Sequence, residues 1–230
     1  GKLRSLSSDE ILAQMFFAKK ICRQQSLPDV TNVVFMGMGE PADNANAVRR
    51  AIPILASRDH FHLAASKITV STVAPNQLAF DLFADLPCVL AWSVHAVSDP
   101  LRKRLVPTSR DKMTTLRQRL IDALRCRPPN PRTVMLEVAL IKDVNESLDH
   151  AKDLAKCAKV IMDEVDGMKL IVNLIPFNDS GQKYFERPSG EQVEQFQRLL
   201  WSRGVYVHIR CTRGDDDLAA CGQLETSSEQ

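Results

Sequence analysis

The sequence predicts an α/β protein with a parallel sheet, and three observations carry that prediction. Short runs rich in β-branched residues, such as Ile68-Thr69-Val70-Ser71-Thr72, are apolar on both faces. These runs alternate with helical stretches of about 10 to 18 residues, the signature of βαβ units. The 230 residues also suit either an open doubly wound sheet or part of a (β/α) barrel.

The elements follow in order. Leu6-Ser7-Ser8-Asp9-Glu10-Ile11 supplies a Ser cap with acidic residues in the first turn, where they complement the helix dipole. Helical spacing then runs from Ile11 to Cys22, and Pro28 closes the segment. Residues 32–36 form an apolar run that ends in Gly37-Met38-Gly39-Glu40-Pro41, a buried strand leading into a tight loop. A helix is predicted over 44–58, a strand over 67–72, a helix over 76–86 and a strand over 88–95. A loop then leads to a helix over 113–125, followed by a strand over 133–141, a helix over 147–165 and a strand over 170–175. A helix over 191–203 and a short strand over 205–209 complete the alternation, and only 225–230 reads as a polar tail.

Composition excludes several classes. With 44% hydrophobic and 25% charged residues the chain is globular in character rather than disordered. No apolar run approaches the roughly 18 residues that a spanning helix needs, so no membrane partner is expected. The cysteines, Cys22, Cys88, Cys126, Cys157, Cys211 and Cys221, show no metal-finger spacing and read as reduced thiols. The net charge of +2 hides an asymmetry, because residues 101–132 hold ten Lys/Arg against two Asp. Such a stretch is either a polyanion site or a solvated helical face.

Chemistry in a parallel α/β sheet gathers at the carboxyl ends of the strands. The first strand ends in Gly37-Met38-Gly39-Glu40-Pro41, the second in Ser71-Thr72 and the third in Ser93-Val94-His95. The fifth ends in Ile175-Pro176-Phe177-Asn178 and the sixth in Arg210-Cys211-Thr212-Arg213. Only the fourth brings no polar group. Five polar strand ends in register predict a ligand pocket, in which Glu40 can hold a cationic amine. A Glu-Pro follows the glycines, so this is not a dinucleotide fingerprint.

Asn32 to Pro41 (NVVFMGMGEP), Ser93 to Pro107 (SVHAVSDPLRKRLVP), Asn173 to Asn178 (NLIPFN) and Thr212 to Leu224 (TRGDDDLAACGQL) resemble the radical S-adenosylmethionine RNA methyltransferases. The resemblance is to the RlmN-type enzymes, which methylate carbon 2 of adenine in 23S rRNA and tRNA, with the carbon-8 Cfr-type enzymes as near relatives. It runs almost the full chain. It implies a partial (β/α)6 barrel missing its first strand, with an extra C-terminal strand, over residues 1–224. It also implies S-adenosylmethionine contacts at Gly39, Glu40, Ser71, Ser93, Val94, His95 and Asn178.

By the same resemblance Cys221 is the thiol that takes a methyl by displacement from one adenosylmethionine and carries it to RNA. A [4Fe-4S] cluster would cleave a second one, and its CxxxCxxC ligands are expected upstream of Gly1, together with an RNA-binding domain. The expectation is therefore a truncated chain that cannot assemble the cluster or turn over by itself, with no metal ligand of its own. A flavodoxin with its reductase, or a ferredoxin, is the implied electron donor. The implied compartment is the cytoplasm in a bacterium and a plastid or mitochondrion in a eukaryote. Arg102, Lys103, Arg104 and Arg110 are expected at RNA phosphates. Trp92 stands where the family has a small aliphatic residue and is expected to reshape the pocket wall. Two other classes stay open: a different radical adenosylmethionine enzyme, which should lack AACGQL, and a non-catalytic RNA-binding remnant.

Overall fold

The structure is a computed structural model that describes residues 4–127, 132–178 and 184–210. Its elements are α1 (Ser8–Gln24), β1 (Val33–Phe35), α2 (Ala45–Ala56), β2 (Ile68–Thr72), β3 (Val89–Ser93) and α3 (Asp99–Leu105). They continue through α4 (Met113–Arg125), β4 (Thr133–Leu140), α5 (Leu148–Glu164), β5 (Lys169–Pro176), α6 (Gly190–Ser202) and β6 (Tyr206–Ile209). The start of α1 is set by a capping box, with Ser7 accepting from the Glu10 amide and Glu10 accepting from the Ser7 amide.

All strands pair in parallel and in sequence order, β1 to β6. Sequential order with right-handed crossovers puts the connecting helices on one face of the sheet. This is the predicted partial-barrel arrangement, and among the described residues β1 and β6 remain its two free edges. The core lies between sheet and helices, where Val70, Leu90, Trp92, Leu136, Val172 and Val207 face Ile52, Phe80, Leu120, Leu154, Ile161 and Phe196. Burying each such side chain contributes about 1.5 to 3 kcal/mol.

Two stretches differ from the sequence expectation. Residues 76–86 are not one α-helix but two short 3-10 turns, Gln77–Ala79 and Asp81–Phe83. Their carbonyls are drawn elsewhere: Arg49 donates to Leu82 O, and Arg127 donates to Phe83 O, Ala84 O and Leu86 O. Conversely, part of the loop expected after His95 is α3, with Ser98 at the N-cap and Pro100 at the second helical position.

Candidate functional site

Strand β1 leaves the sheet through Gly37 at φ 104° and Gly39 at φ 71°. A side chain at either would meet open space, so the glycines serve the left-handed backbone rather than close packing. Ala74 and His95, just past β2 and β3, are left-handed too, at φ 50° and 52°. The first three strands thus all turn sharply at the same end, and two of these turns strain a residue that has a Cβ.

Glu40 ties two of these turns together. One carboxylate oxygen accepts from the Ala42 amide at 3.0 Å and the other from the Val73 amide at 2.9 Å, which leaves lone pairs for a ligand cation. Register then sets a polar row across the sheet: Ser93 beside Glu137, Glu137 beside Asn173, Asn173 beside His208. Because side chains alternate between faces, this row points away from the helices. Ser71 joins it, its hydroxyl 3.1 Å from that of Ser93 and donating to a Glu137 carboxylate oxygen at 3.0 Å.

Glu137 corrects the expectation that the fourth strand brings no polar group. It is 3% exposed, and burial raises its pKa. The Ser71 hydroxyl, the Arg210 charge, the Asn173 amide and the Ser93 hydroxyl act against that rise, in decreasing order. A lone Glu inside the apolar run Thr133-Val134-Met135-Leu136-Glu137-Val138 was the signal for it.

His95 is half-buried, and its Nδ1 accepts from the Ala139 amide at 3.1 Å. That bond assigns the ring proton to Nε2. Burial, then the charge of Arg102, pushes its pKa down to about 4, so the ring is neutral at pH 7. Asn178 is half-buried at the exit of β5. Trp92 does not form a wall of this site. It points to the helix side, fully buried, edge-on to Phe80 at 5.5 Å and beneath the Arg102 guanidinium at 5.4 Å. Cys221, like Cys211, Thr212 and Arg213, lies outside the described residues.

The four cations expected at phosphates divide. Arg102 is 1% exposed and donates to the carbonyls of Val73, Ser93 and Val94, so it holds the ends of β2 and β3 and is not available to RNA. Burial lowers its pKa to about 10, which leaves it charged. Lys103 is exposed and donates to Pro107 O and Ser109 O. Arg104 and Arg110 are exposed. A cleft of ≈ 350 Å³ beside Glu40 is lined by Asp43, Lys103, Thr108 and Arg110 among others, so part of the basic stretch does border the strand-end site.

The donor set accommodates adenosylmethionine. Glu40 suits its ammonium group, and the Ser71–Ser93–Glu137 cluster suits neutral hydroxyls. An iron–sulfur cluster finds no such match. Among the described residues no three His, Cys, Asp or Glu side chains converge. The described cysteines are scattered, and burial raises the pKa of Cys88 and of Cys157.

No family model matches the chain. Curated relatives do. The dual-specificity RNA methyltransferase RlmN of Campylobacter fetus is 39% identical over 233 residues, covering 100% of this chain and 62% of the relative. That of Rhizobium etli is 37% identical over 245 residues, covering 99% of this chain and 57% of the relative. The chain thus spans about three-fifths of the length of the curated relatives it matches. A radical SAM methyltransferase from Sphaerobacter thermophilus superposes with a TM-score of 0.84 at 35% identity, over 97% of this chain and 63% of that one. A domain of a pyruvate-formate lyase-activating enzyme from Bacteroides vulgatus shares the fold, with a TM-score of 0.57 at 17% identity.

Proposed function

Because the chain belongs to the radical SAM methyltransferases, matching those named RlmN over nearly all of its own length, we propose that it is the adenosylmethionine-binding part of an RNA methyltransferase. The reading extends to carbon 2 of adenine in 23S rRNA and tRNA. The observation that carries it is the meeting of Glu40, Ser71, Ser93 and Glu137 at one end of a parallel sheet, the end where α/β ligands bind.

S-adenosylmethionine would supply a methyl group and an adenosyl group. The residues of this chain bind and orient it. Glu40 accepts from the ammonium group while its two backbone bonds hold the carboxylate still. The open backbone at Gly39 leaves room beside that group. Ser71, Ser93, the backbone of Val94 and His95, and Asn178 take the nucleoside. His95, neutral and held by Ala139, adds no charge to repel a sulfonium.

Lys103 and Arg110 line the neighbouring cleft and, with the exposed Arg104, would take RNA phosphates. Cys221 is the proposed methyl carrier, and the [4Fe-4S] ligands of the whole protein belong to residues other than those described. An electron donor of flavodoxin or ferredoxin type completes the proposal.

The test is expression of the complete gene in a bacterium whose own adenine-C2 methyltransferase has been deleted, with mass spectrometry of 23S rRNA and tRNA. Restored 2-methyladenosine that disappears in Cys221→Ala supports the proposal. Methyl at carbon 8 would move the assignment to the Cfr-type reaction. No modified adenosine, with the protein soluble and loaded with its cluster, would overturn it.

A further inference from the structure

Glu40 is held by one local bond and one distant one. The Ala42 amide lies two residues along its own chain, whereas the Val73 amide comes from the end of the next strand, 33 residues away. The distant bond aims the carboxylate, so the aim depends on what fixes Val73. The turn that Val73 opens is strained: Ala74 takes φ 50°, and it precedes Pro75, which restricts its backbone further. A left-handed residue with a Cβ persists only where its surroundings over-determine it. Three bonds do so. The Thr72 hydroxyl accepts from the Ala74 amide at 2.9 Å, the Arg102 guanidinium donates to Val73 O, and the Arg110 amide donates to Pro75 O at 2.9 Å. Arg102 also serves β3, and Arg110 gives only its backbone here, which leaves Thr72 as the side chain dedicated to this turn. Strand alternation sets Thr72 on the helix side beside Trp92, 1% exposed, while Ser71 faces the site. Thr72 therefore acts on a ligand only through the backbone.

We propose that Thr72 is a positioning residue for ammonium recognition: its hydroxyl locks the turn at Ala74, the turn presents the Val73 amide, and that amide aims Glu40 at the ligand's ammonium group. This rests on the adenosylmethionine reading above and deepens it, by naming a residue beyond the ligand's reach that sets how firmly the amine is held. Ala74 is 0% exposed, so without the hydroxyl its amide has no water to turn to and must find another acceptor. The chain from Thr72 to Pro75 then rotates, and Glu40 keeps only its bond to Ala42. A carboxylate that is free to swing loses more conformational entropy on meeting a cation, so the amine contributes less to binding. The contacts proposed at Ser93, His95 and Asn178 come from other strands and stay.

The experiment is calorimetric binding of S-adenosylhomocysteine and of 5′-methylthioadenosine, which keeps the nucleoside and thioether but lacks the amino-acid end, to the complete protein. Wild type is compared with Thr72→Val, Thr72→Ser and Glu40→Gln, the last measuring the share of the preference that belongs to the ammonium group. Wild type should favour S-adenosylhomocysteine by about tenfold or more, because its ammonium makes a charge-assisted bond. Thr72→Val should cut that preference to about threefold or less, approaching Glu40→Gln, with 5′-methylthioadenosine affinity within about twofold of wild type. Thr72→Ser keeps the hydroxyl and should keep the preference. A thermal melt of each variant identifies those that are folded. If Thr72→Val melts early, Thr72→Val with Ala74→Gly takes its place, since glycine adopts the left-handed turn without strain while the acceptor is still missing. A preference that is unchanged without the hydroxyl, a loss shared equally by both ligands, a folded Thr72→Ser that behaves like the valine variant, or no preference in wild type overturns the inference. No binding of S-adenosylhomocysteine to folded wild-type protein overturns the adenosylmethionine reading, and the inference with it.

Discussion

Arg102 and Arg104 stand two residues apart on α3 and do opposite work. Arg102 is buried under the sheet's end and spends its guanidinium on three carbonyls, whereas Arg104 is exposed to solvent. Arg127, at the far end of the same basic stretch, repeats the buried role. It is 2% exposed and donates to the carbonyls of Phe83, Ala84, Leu86 and Cys88. A run of positive charge in the sequence therefore holds two populations. One closes irregular backbone that has no ladder partner, and the other is left exposed at the surface. A planar fork with five donors suits the first task, which a lysine could perform only in part.

The contrast breaks most easily at its buried half. Arg127→Ala should cost roughly 3 kcal/mol or more, because several buried carbonyls lose their donor at once. Arg102→Ala should cost a comparable amount and also loosen the turn that carries Ser93, Val94 and His95. Urea unfolding measures both, and a loss below about 1 kcal/mol in either would mean that water replaces the guanidinium freely.

The exposed half should behave in reverse. Replacing Lys103, Arg104 and Arg110 by Gln should change stability by less than about 0.5 kcal/mol. The same change should lower the salt slope of RNA binding by about 3, close to one unit for each phosphate that is no longer neutralised. A slope that stays the same would make this stretch a solvated face.

The buried charge of Arg102 also reaches His95, which gives a pH test. Folding lowers the His95 pKa from 6.5 to about 4, so the unfolded chain binds more protons in that window. Stability from this group is complete above about pH 6.5 and is lost as pH falls towards 4. Glu137 works with the opposite sign, since its raised pKa makes the folded state the better proton binder above the ordinary carboxylate range. His95→Gln should flatten the acid-side loss in urea midpoints between pH 7 and pH 5. An unaltered profile would place the titration elsewhere.

The smallest effect belongs to a surface pair. Arg125 meets Glu164 at 2.5 Å with both side chains about half exposed, so Arg125→Ala should cost only about 0.5 kcal/mol.

These regions also mark what the residues disclose before folding. The strand–helix alternation was legible because β-branched apolar runs and helical periodicity are local signals. The strand-end site was legible because Glu40, Ser71 and Ser93 stand where such runs stop. The fate of Arg102 and Arg127 was not, since burial depends on where distant carbonyls lie: Phe83 and Arg127 are 44 residues apart. Residues 76–86 have a helical composition, yet Arg49 and Arg127 claim carbonyls there, and no short window contains that competition. Glu137 sits inside a strand rather than at its end, so a reading of strand ends passed over it although register sets it beside Ser93.

The central claim is that the carboxyl ends of these strands hold S-adenosylmethionine. Titrating S-adenosylmethionine into the protein by calorimetry tests it most directly. The account predicts one saturable site, weakened about tenfold or more by Glu40→Gln and unchanged by Arg104→Gln. No saturable binding to the folded protein, or binding that Glu40→Gln leaves untouched, would contradict it.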